Sequence, residues 1–311
     1  MDSSQDDFPA SLMIKNDHYC ELRYGENPHQ TAALYADPTV QEANVVSALQ
    51  LNPTAKELSY NNYNDSDGAL NLIKEFKQPA AAIIKHANPA GCAVAKTISE
   101  AYAKALSTDP MSAFGGVVAL NQECDVKTAE QIVSSFKEVV VAPSYTEDSL
   151  NILRTKKNLR ILSVGELNSP SVTLVEKPIV GGRLIQQRDL SSLSSKDLQV
   201  VTKIEPTPAQ IETMLFAWKV VKHVKSNAIV FATGTETVGL GMGQVSRVDA
   251  VRLASIKAVE HSENKTPKGA VMASDAFFPF PDALENAAEA GISAVIQPGG
   301  SINDDAVIDA A

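Results

Sequence analysis

The sequence predicts an α/β protein built as two similar halves, and three observations carry that prediction. From about residue 67 onward, short apolar or β-branched runs alternate with segments of helical period. Val139-Val140-Val141-Ala142-Pro143 leads through polar residues into an acidic helix start at Glu147, and Ala294-Val295-Ile296-Gln297-Pro298 leads through Gly299-Gly300-Ser301 into another at Asp304. An apolar strand that delivers Lys85-His86 takes the same slot in its half as the strand after Asn227 in the other. Residue identity between the halves is low, so the repeat is one of pattern, and it favours two similar α/β layers over one large sheet.

Taken in order, residues 1–18 read as a disordered leader or a cut end. Residues 19–180 read as the first subdomain, and residues 181–311 as a bridge followed by the second. Residues 10–65 are polar and turn-rich, either ordinary loops or binding loops. A helix is expected at 69–76, with Leu70, Ile73 and Phe76 on one face. The run 79–84 is a buried strand, with a turn expected at Asn88-Pro89 and Gly91. Helices are expected at 97–106, 127–136 and 147–153, with strands at 115–120, 139–142 and 159–164. Residues 167–203 are Ser-rich, contain Gly181-Gly182-Arg183 and read as the bridge. An amphipathic helix at 208–224 turns Ile211, Leu215, Trp218 and Val221 or Val220 inward. The second half then gives strands at 228–233, 238–240, 270–273 and 293–296. Its helices are at 248–260, 283–290 and from 304.

Composition narrows the function. With 44% hydrophobic residues the 311-residue chain can bury sizeable cores. A net charge of -10 argues against broad phosphate neutralisation on nucleic acid, though not against a local pocket for one phosphate. Cys20, Cys92 and Cys124 are too few and too scattered for a disulfide framework or a zinc site, which fits a reducing cytoplasm. No apolar run approaches a membrane span, and the acidic N-terminus is not a signal peptide.

Five stretches concentrate chemistry. At the end of an apolar strand, Lys85-His86 offers an ammonium and the side chain best suited to proton transfer near neutrality. The two side chains share a site only if the strand ends between them or the backbone bends there. The run Gly239-Leu240-Gly241-Met242-Gly243-Gln244-Val245-Ser246-Arg247 has glycines that would let a ligand approach the backbone. Ser246 can cap the following helix, and Arg247 in its first turn suits an anion. Ala273 to Asp282 is either a hydrophobic plug or a slot for a flat heterocycle edged by Asp275 and Asp282. Arg23 to Gln30 and Leu58 to Asp65 are rich in hydrogen-bonding groups.

Together these stretches resemble a known family. Arg23-Tyr24-Gly25-Glu26-Asn27-Pro28-His29-Gln30, Lys85-His86-Ala87-Asn88-Pro89-Ala90-Gly91 and Asp109-Pro110-Met111-Ser112-Ala113-Phe114-Gly115-Gly116 occur in order. Lys225-Ser226-Asn227, Gly241-Met242-Gly243-Gln244-Val245-Ser246-Arg247 and Ser274-Asp275-Ala276-Phe277-Phe278-Pro279-Phe280 follow. The set is similar to the aminoimidazole carboxamide ribonucleotide (AICAR) transformylase part of the bifunctional purine-biosynthesis protein, from about Glu21 onward. The resemblance implies two tandem cytidine-deaminase-like α/β/α three-layer subdomains in a homodimer with sites at the subunit interface. It implies formyl transfer from 10-formyltetrahydrofolate to AICAR, with no divalent metal, and leaves a structural monovalent cation open. By the same match, Lys85 and His86 are the catalytic pair, and Asn227 contacts the reacting centre. Arg23, Tyr24, Arg247 and Phe277 fall at the nucleotide, and Asp282 at the folate ring. Gly116 falls where some relatives carry an acid. The family's cyclohydrolase part has no counterpart in these residues, so ring closure is not expected of them. The family's chain normally continues past the position of Ala311 into a short basic, His-containing tail that reaches the nucleotide site, so weaker phosphate binding and activity are expected of these residues alone. Zinc deaminase chemistry is not expected, because H-x-E with P-C-x-x-C is missing. The alternative reading is a truncated, non-catalytic purine-nucleotide or folate binder.

Overall fold

The computed structural model describes residues 8–172 and 174–311. Its first elements are β1 (Asp17–Leu22), β2 (Ala32–Ala36), β3 (Leu49–Gln50), α1 (Tyr60–Ile73), β4 (Ala80–Lys85), β5 (Asn88–Val94) and α2 (Ile98–Leu106). There follow α3 (Pro110–Ala113), β6 (Val117–Leu120), α4 (Val126–Val133), β7 (Val139–Ala142), α5 (Glu147–Arg154) and β8 (Arg160–Ser163). The connection carries β9 (Leu174–Ile179) and β10 (Gly182–Gln187). The second half is α6 (Pro208–Val221), β11 (Ile229–Thr233), β12 (Glu236–Gly241), α7 (Arg247–Glu260), β13 (Val271–Ser274), α8 (Asp282–Glu289), β14 (Ala294–Ile296) and α9 (Asp304–Ala310).

The repeat is present in topology. Each half runs helix, strand, hairpin partner, helix, then an antiparallel strand and a parallel one, so β4-β5-β6-β7 matches β11-β12-β13-β14. The expectation of separate layers needs correction, because among the described residues the halves share one ten-stranded sheet, β14-β13-β11-β12-β5-β4-β6-β7-β8-β3. Alternation along the strands sorts the side chains into three cores. Ala80, Ala82 and Ile84 face α1, whereas Ala81 and Ile83 face α2. The core under α1 and α6 runs unbroken across both halves, with Phe76 and Phe216 in ring contact at 5.5 Å. The opposite face carries one core per half.

The seam between halves is one ladder pair, Glu236 with Ala93, completed by side chains. Thr237 accepts from the Cys92 N–H at 3.0 Å and donates to the Cys92 carbonyl at 3.1 Å, while Thr235 donates to the Val94 carbonyl. Lys265 places its ammonium among the carbonyls of Lys104 and Thr237, the Thr108 hydroxyl and Glu236. Asp109 of the first half meets Lys257 and His261 of the second.

Other differences have local causes. Asn88-Pro89 opens β5, and the turn is His86-Ala87. Pro89 has no N–H for the ladder, and the β4–β5 register shifts beside it. Gly91 serves close packing, since a Cβ there would fall on the Ala105 carbonyl of α2. The polar run from Ser59 starts α1, because Ser59 and Asn62 form a capping box. On α6 the buried residues are Thr213, Met214, Phe216, Ala217, Val220 and Val221, with Ile211, Leu215 and Trp218 only half-buried. The helix lies flat across the sheet, so it buries a broader face than one stripe.

The connecting segment is tied down. The exposed β9–β10 hairpin, whose turn contains residue 180, stands on an anchor at Glu42. Glu42 receives Lys74 at 2.6 Å, Arg188 at 2.8 Å and the Ser171 N–H at 3.1 Å. Burial by itself would raise the Glu42 pKa, but the bonds from Arg188 and Lys74 outweigh it and hold the carboxyl at about 2. A depressed carboxyl stabilises the fold above its unfolded pKa, and that contribution fades as pH falls toward the folded value. We expect Glu42→Gln to lower stability at pH 7 by about 3 kcal/mol, since it leaves two cations unmatched. Urea unfolding across pH should show the gap to wild type closing between the ordinary carboxyl range and pH 2; a constant gap would assign the loss to packing instead.

Candidate functional site

The strand pairings bring most of the candidate residues to one edge of the sheet. The ends of β4, β12, β13 and β14 and the beginnings of β5, β11, β6, β7 and β8 all lie there. Lys85, His86, Asn227 and Asp275 therefore sit in successive loops along this edge.

At its centre is the β4–β5 turn. His86 and Ala87 both have positive φ, 52° and 59°. For residues with a Cβ that conformation costs about 1–2 kcal/mol each. Asp65 of α1 offsets this cost: one oxygen accepts the His86 N–H at 3.1 Å and the other the Ala87 N–H at 2.7 Å. The strand thus ends between Lys85 and His86, as a shared site requires. Lys85 donates to the Gly115 carbonyl at 2.9 Å, and the His86 side chain is exposed. Asp65 lies one helical turn beyond Asn62, on the buried face of α1. In the sequence it belongs only to a polar cluster, because the expected helix begins at 69 and the observed one at Tyr60.

The second half meets this turn directly. Asn88 donates to the His86 carbonyl and accepts the Lys225 N–H at 3.0 Å. Asn227, two residues on, donates to the Gln244 carbonyl at 2.8 Å and accepts from Arg247 at 2.8 Å. Arg247 follows the capping Ser246, as expected, but its guanidinium points inward. It is 7% exposed and donates to Asn227, to the Ala228 carbonyl and to Asp275, leaving a buried Nε without a partner among the described residues. Asp275 also accepts the Ala228 N–H at 2.9 Å. Gly239 and Gly241 serve packing rather than a ligand, since a Cβ at either would fall on the α7 carbonyls of Ala254 and Ala250.

In the loop after β13, Phe278 is buried as a plug, while Phe277 and Phe280 are exposed. Asp282, in the first turn of α8, is exposed. Met111, Phe114 and Phe136 are also exposed, and the last two are in ring contact at 5.4 Å beside Gly115.

Arg23 and Tyr24 lie elsewhere on this edge. The Arg23 guanidinium stacks over the Tyr24 ring at 4.8 Å and donates to its hydroxyl. Both residues act electrostatically on Arg160 at the start of β8, whose pKa is lowered first by burial. Asn61 of α1 donates to the Glu26 carbonyl of the same loop, and Asn62 donates to Glu138 at 2.7 Å. Arg23 also lines a groove of about 620 Å³ with His18, His29 and Tyr35. Between β8 and β13 lie seven strand steps, roughly 34 Å at about 4.8 Å each. The structure therefore joins Lys85, His86 and Asn227 in one chain, and joins Arg247 to Asn227. It keeps Arg23 and Tyr24 far from Arg247, Phe277 and Asp282.

Among the described residues there is no group of three or more His, Cys, Asp or Glu that could hold a metal ion, and no helix long and apolar enough to cross a membrane. The sequence pattern of the family described as the AICARFT/IMPCHase bienzyme matches residues 1–257. Phe277 and Asp282 lie beyond the matched residues.

The Asp65 contact is open to direct test. An amide at this position can accept from only one of the two N–H groups and turns its own NH2 on the other. We expect Asp65→Asn to cost about 2 kcal/mol of stability and to speed hydrogen exchange at His86 and Ala87 selectively. Unchanged exchange there would mean that the turn is held by other contacts.

Proposed function

Because the chain belongs to the AICARFT/IMPCHase bienzyme family, a family of purine biosynthesis, we propose that it transfers a formyl group from 10-formyltetrahydrofolate to the 5-amino group of AICAR. The observation that carries this reading is the Lys85-His86 pair, set in a left-handed turn by Asp65 and tied through Asn88 to the strand bearing Asn227. His86 takes a proton from the weakly nucleophilic aromatic amine as the amine nitrogen bonds to the formyl carbon. The carbonyl oxygen becomes an oxyanion, toward which Lys85 and Asn227 offer N–H donors. Collapse breaks the bond to the folate nitrogen, which receives the proton held by His86. Losing one such donor costs about 3 kcal/mol of transition-state stabilisation.

Met111, Phe114 and Phe136 form an apolar shelf beside Lys85 that suits the flat ring of a folate. Arg247 is read as a positioning residue for Asn227, since its two terminal nitrogens already donate to Asn227, to the Ala228 carbonyl and to Asp275. The roughly 34 Å between Arg23 and the Phe277–Asp282 loop exceeds the reach of one nucleotide. This separation supports a homodimer in which the Arg23 end of one copy and the Phe277–Asp282 loop of the other complete each site.

Three outcomes are expected. His86→Ala abolishes turnover with 10-formyltetrahydrofolate while the thermal unfolding curve stays two-state and unshifted; near-normal turnover would end the general-base role. Arg247→Lys lowers kcat with little change in KM for AICAR, whereas a rise in KM alone would restore a direct phosphate contact. Mixing inactive His86→Ala with inactive Asp282→Ala after subunit exchange recovers about a quarter of wild-type activity, because heterodimers hold one intact composite site. No recovery would place both residues in the same chain's site, and a monomer in sedimentation would exclude the dimer.

A further inference from the structure

Lys137 stands apart from the other buried cations. Lys74, Arg188, Arg247, Lys257 and Lys265 each meet a carboxylate. Lys137 is 4% exposed, and among the described residues its ammonium meets only the Ser135 hydroxyl. Burying an ammonium without a counter-ion is costly, and burial pushes the Lys137 pKa down to about 8.

The side chain lines an open cavity of about 370 Å³ bordered by two neighbouring helix-to-strand connections, residues 132–137 at the end of α4 and 155–159 after α5. Among the described residues no carboxylate lines it. Its polar groups are Lys137, Lys156, Lys157, Ser134, Ser135, Thr155 and Asn158. The helix ends would present carbonyl oxygens, which repel anions, but Ser134 and Thr155 donate to the Gln131 and Ile152 carbonyls. Three lysines without an acid stand out in a chain of net charge -10. Phe136 lines the cavity, and its ring also comes within 3.3 Å of where a Cβ on Gly115 would stand, 3.1 Å from the Lys85 ammonium.

We propose that this cavity is an oxyanion-binding site for a phosphate or carboxylate group, with Lys137 as its buried charge and Lys156 and Lys157 at its rim. A bound anion supplies the missing counter-ion and favours the protonated amine. Binding therefore takes up a proton near pH 8 and weakens as pH rises further. The oxyanion has two possible sources, a free phosphate-like anion or the carboxylate tail of a folate lying across Phe136. Only the second rests on the formyl-transfer reading.

Calorimetric titration with inorganic phosphate at pH 8, in two buffers of different ionisation heat, tests the site. Wild type is expected to bind with proton uptake. Lys137→Met should bind about tenfold more weakly or worse, without proton uptake, and without a lower melting temperature, since an apolar side chain replaces a buried charge. Should that variant fail to fold, the double variant Lys156→Ala with Lys157→Ala must still weaken binding. A second arm compares folate carrying one glutamate with folate carrying three. Tighter binding of the longer tail, lost in Lys137→Met, assigns the site to the tail. Equal binding of both folates, with phosphate binding that depends on Lys137, assigns it to a free anion. If neither phosphate nor the longer folate distinguishes wild type from Lys137→Met, there is no such site.

Discussion

Thr237 is buried where the two halves meet, and its hydroxyl makes the joint that a regular ladder does not. Only Glu236 and Ala93 pair across the seam. Beyond them Thr237 accepts from and donates to Cys92, and Thr108 closes on Thr237 from α2's end. A hydroxyl can serve both as donor and as acceptor, so one side chain receives the buried Cys92 N–H and adds a bond to the Cys92 carbonyl. With the seam closed in this way, both halves present their loops at the same sheet edge. Lys265 and Asp109 add charges that are matched only when the halves are together. The continuous core under α1 and α6 follows from the same joint, because it bridges the strands that the seam aligns.

The edge is then organised by one helix. α1 carries Asn62 and Asp65 one turn apart, so a single rigid element holds Glu138 with one side chain and the His86-Ala87 turn with the other. A strained turn needs such support, and a helix packed on the sheet provides it without its own loop entropy. Asn88 then passes the constraint to Lys225 across the seam. Lys85, His86 and Asn227 are thus positioned by hydrogen bonds to backbone groups.

The places where local sequence and the fold differ share a cause. Gly91, Gly239 and Gly241 read as turn or ligand signals, yet each is a contact between a strand backbone and a helix carbonyl. Local sequence shows that a Cβ is missing, but not what would occupy its space. Asn88-Pro89 reads as a turn because both residues favour one, while tertiary pairing holds it as a strand with a register shift. Arg247 reads as an anion contact at a helix start, and Ser246 does cap that helix. The chain, however, brings Asp275 from 28 residues away to claim the guanidinium.

By itself the sequence determined the alternation of strands and helices, the repeat, the family and the residues rich in chemistry. These depend on period, capping and motif, which are properties of neighbours along the chain. Val139 to Ala142 and Asp304 to Ala310 were legible to the residue. Only the tertiary structure decided that the halves share one sheet, that Asp65 holds the His86 turn and that Arg247 faces inward. It alone separated Arg23 from Asp282 by most of that sheet. Such facts depend on which strand edges meet, and edge pairing is fixed by long-range hydrogen bonds and packing that no short window of sequence contains.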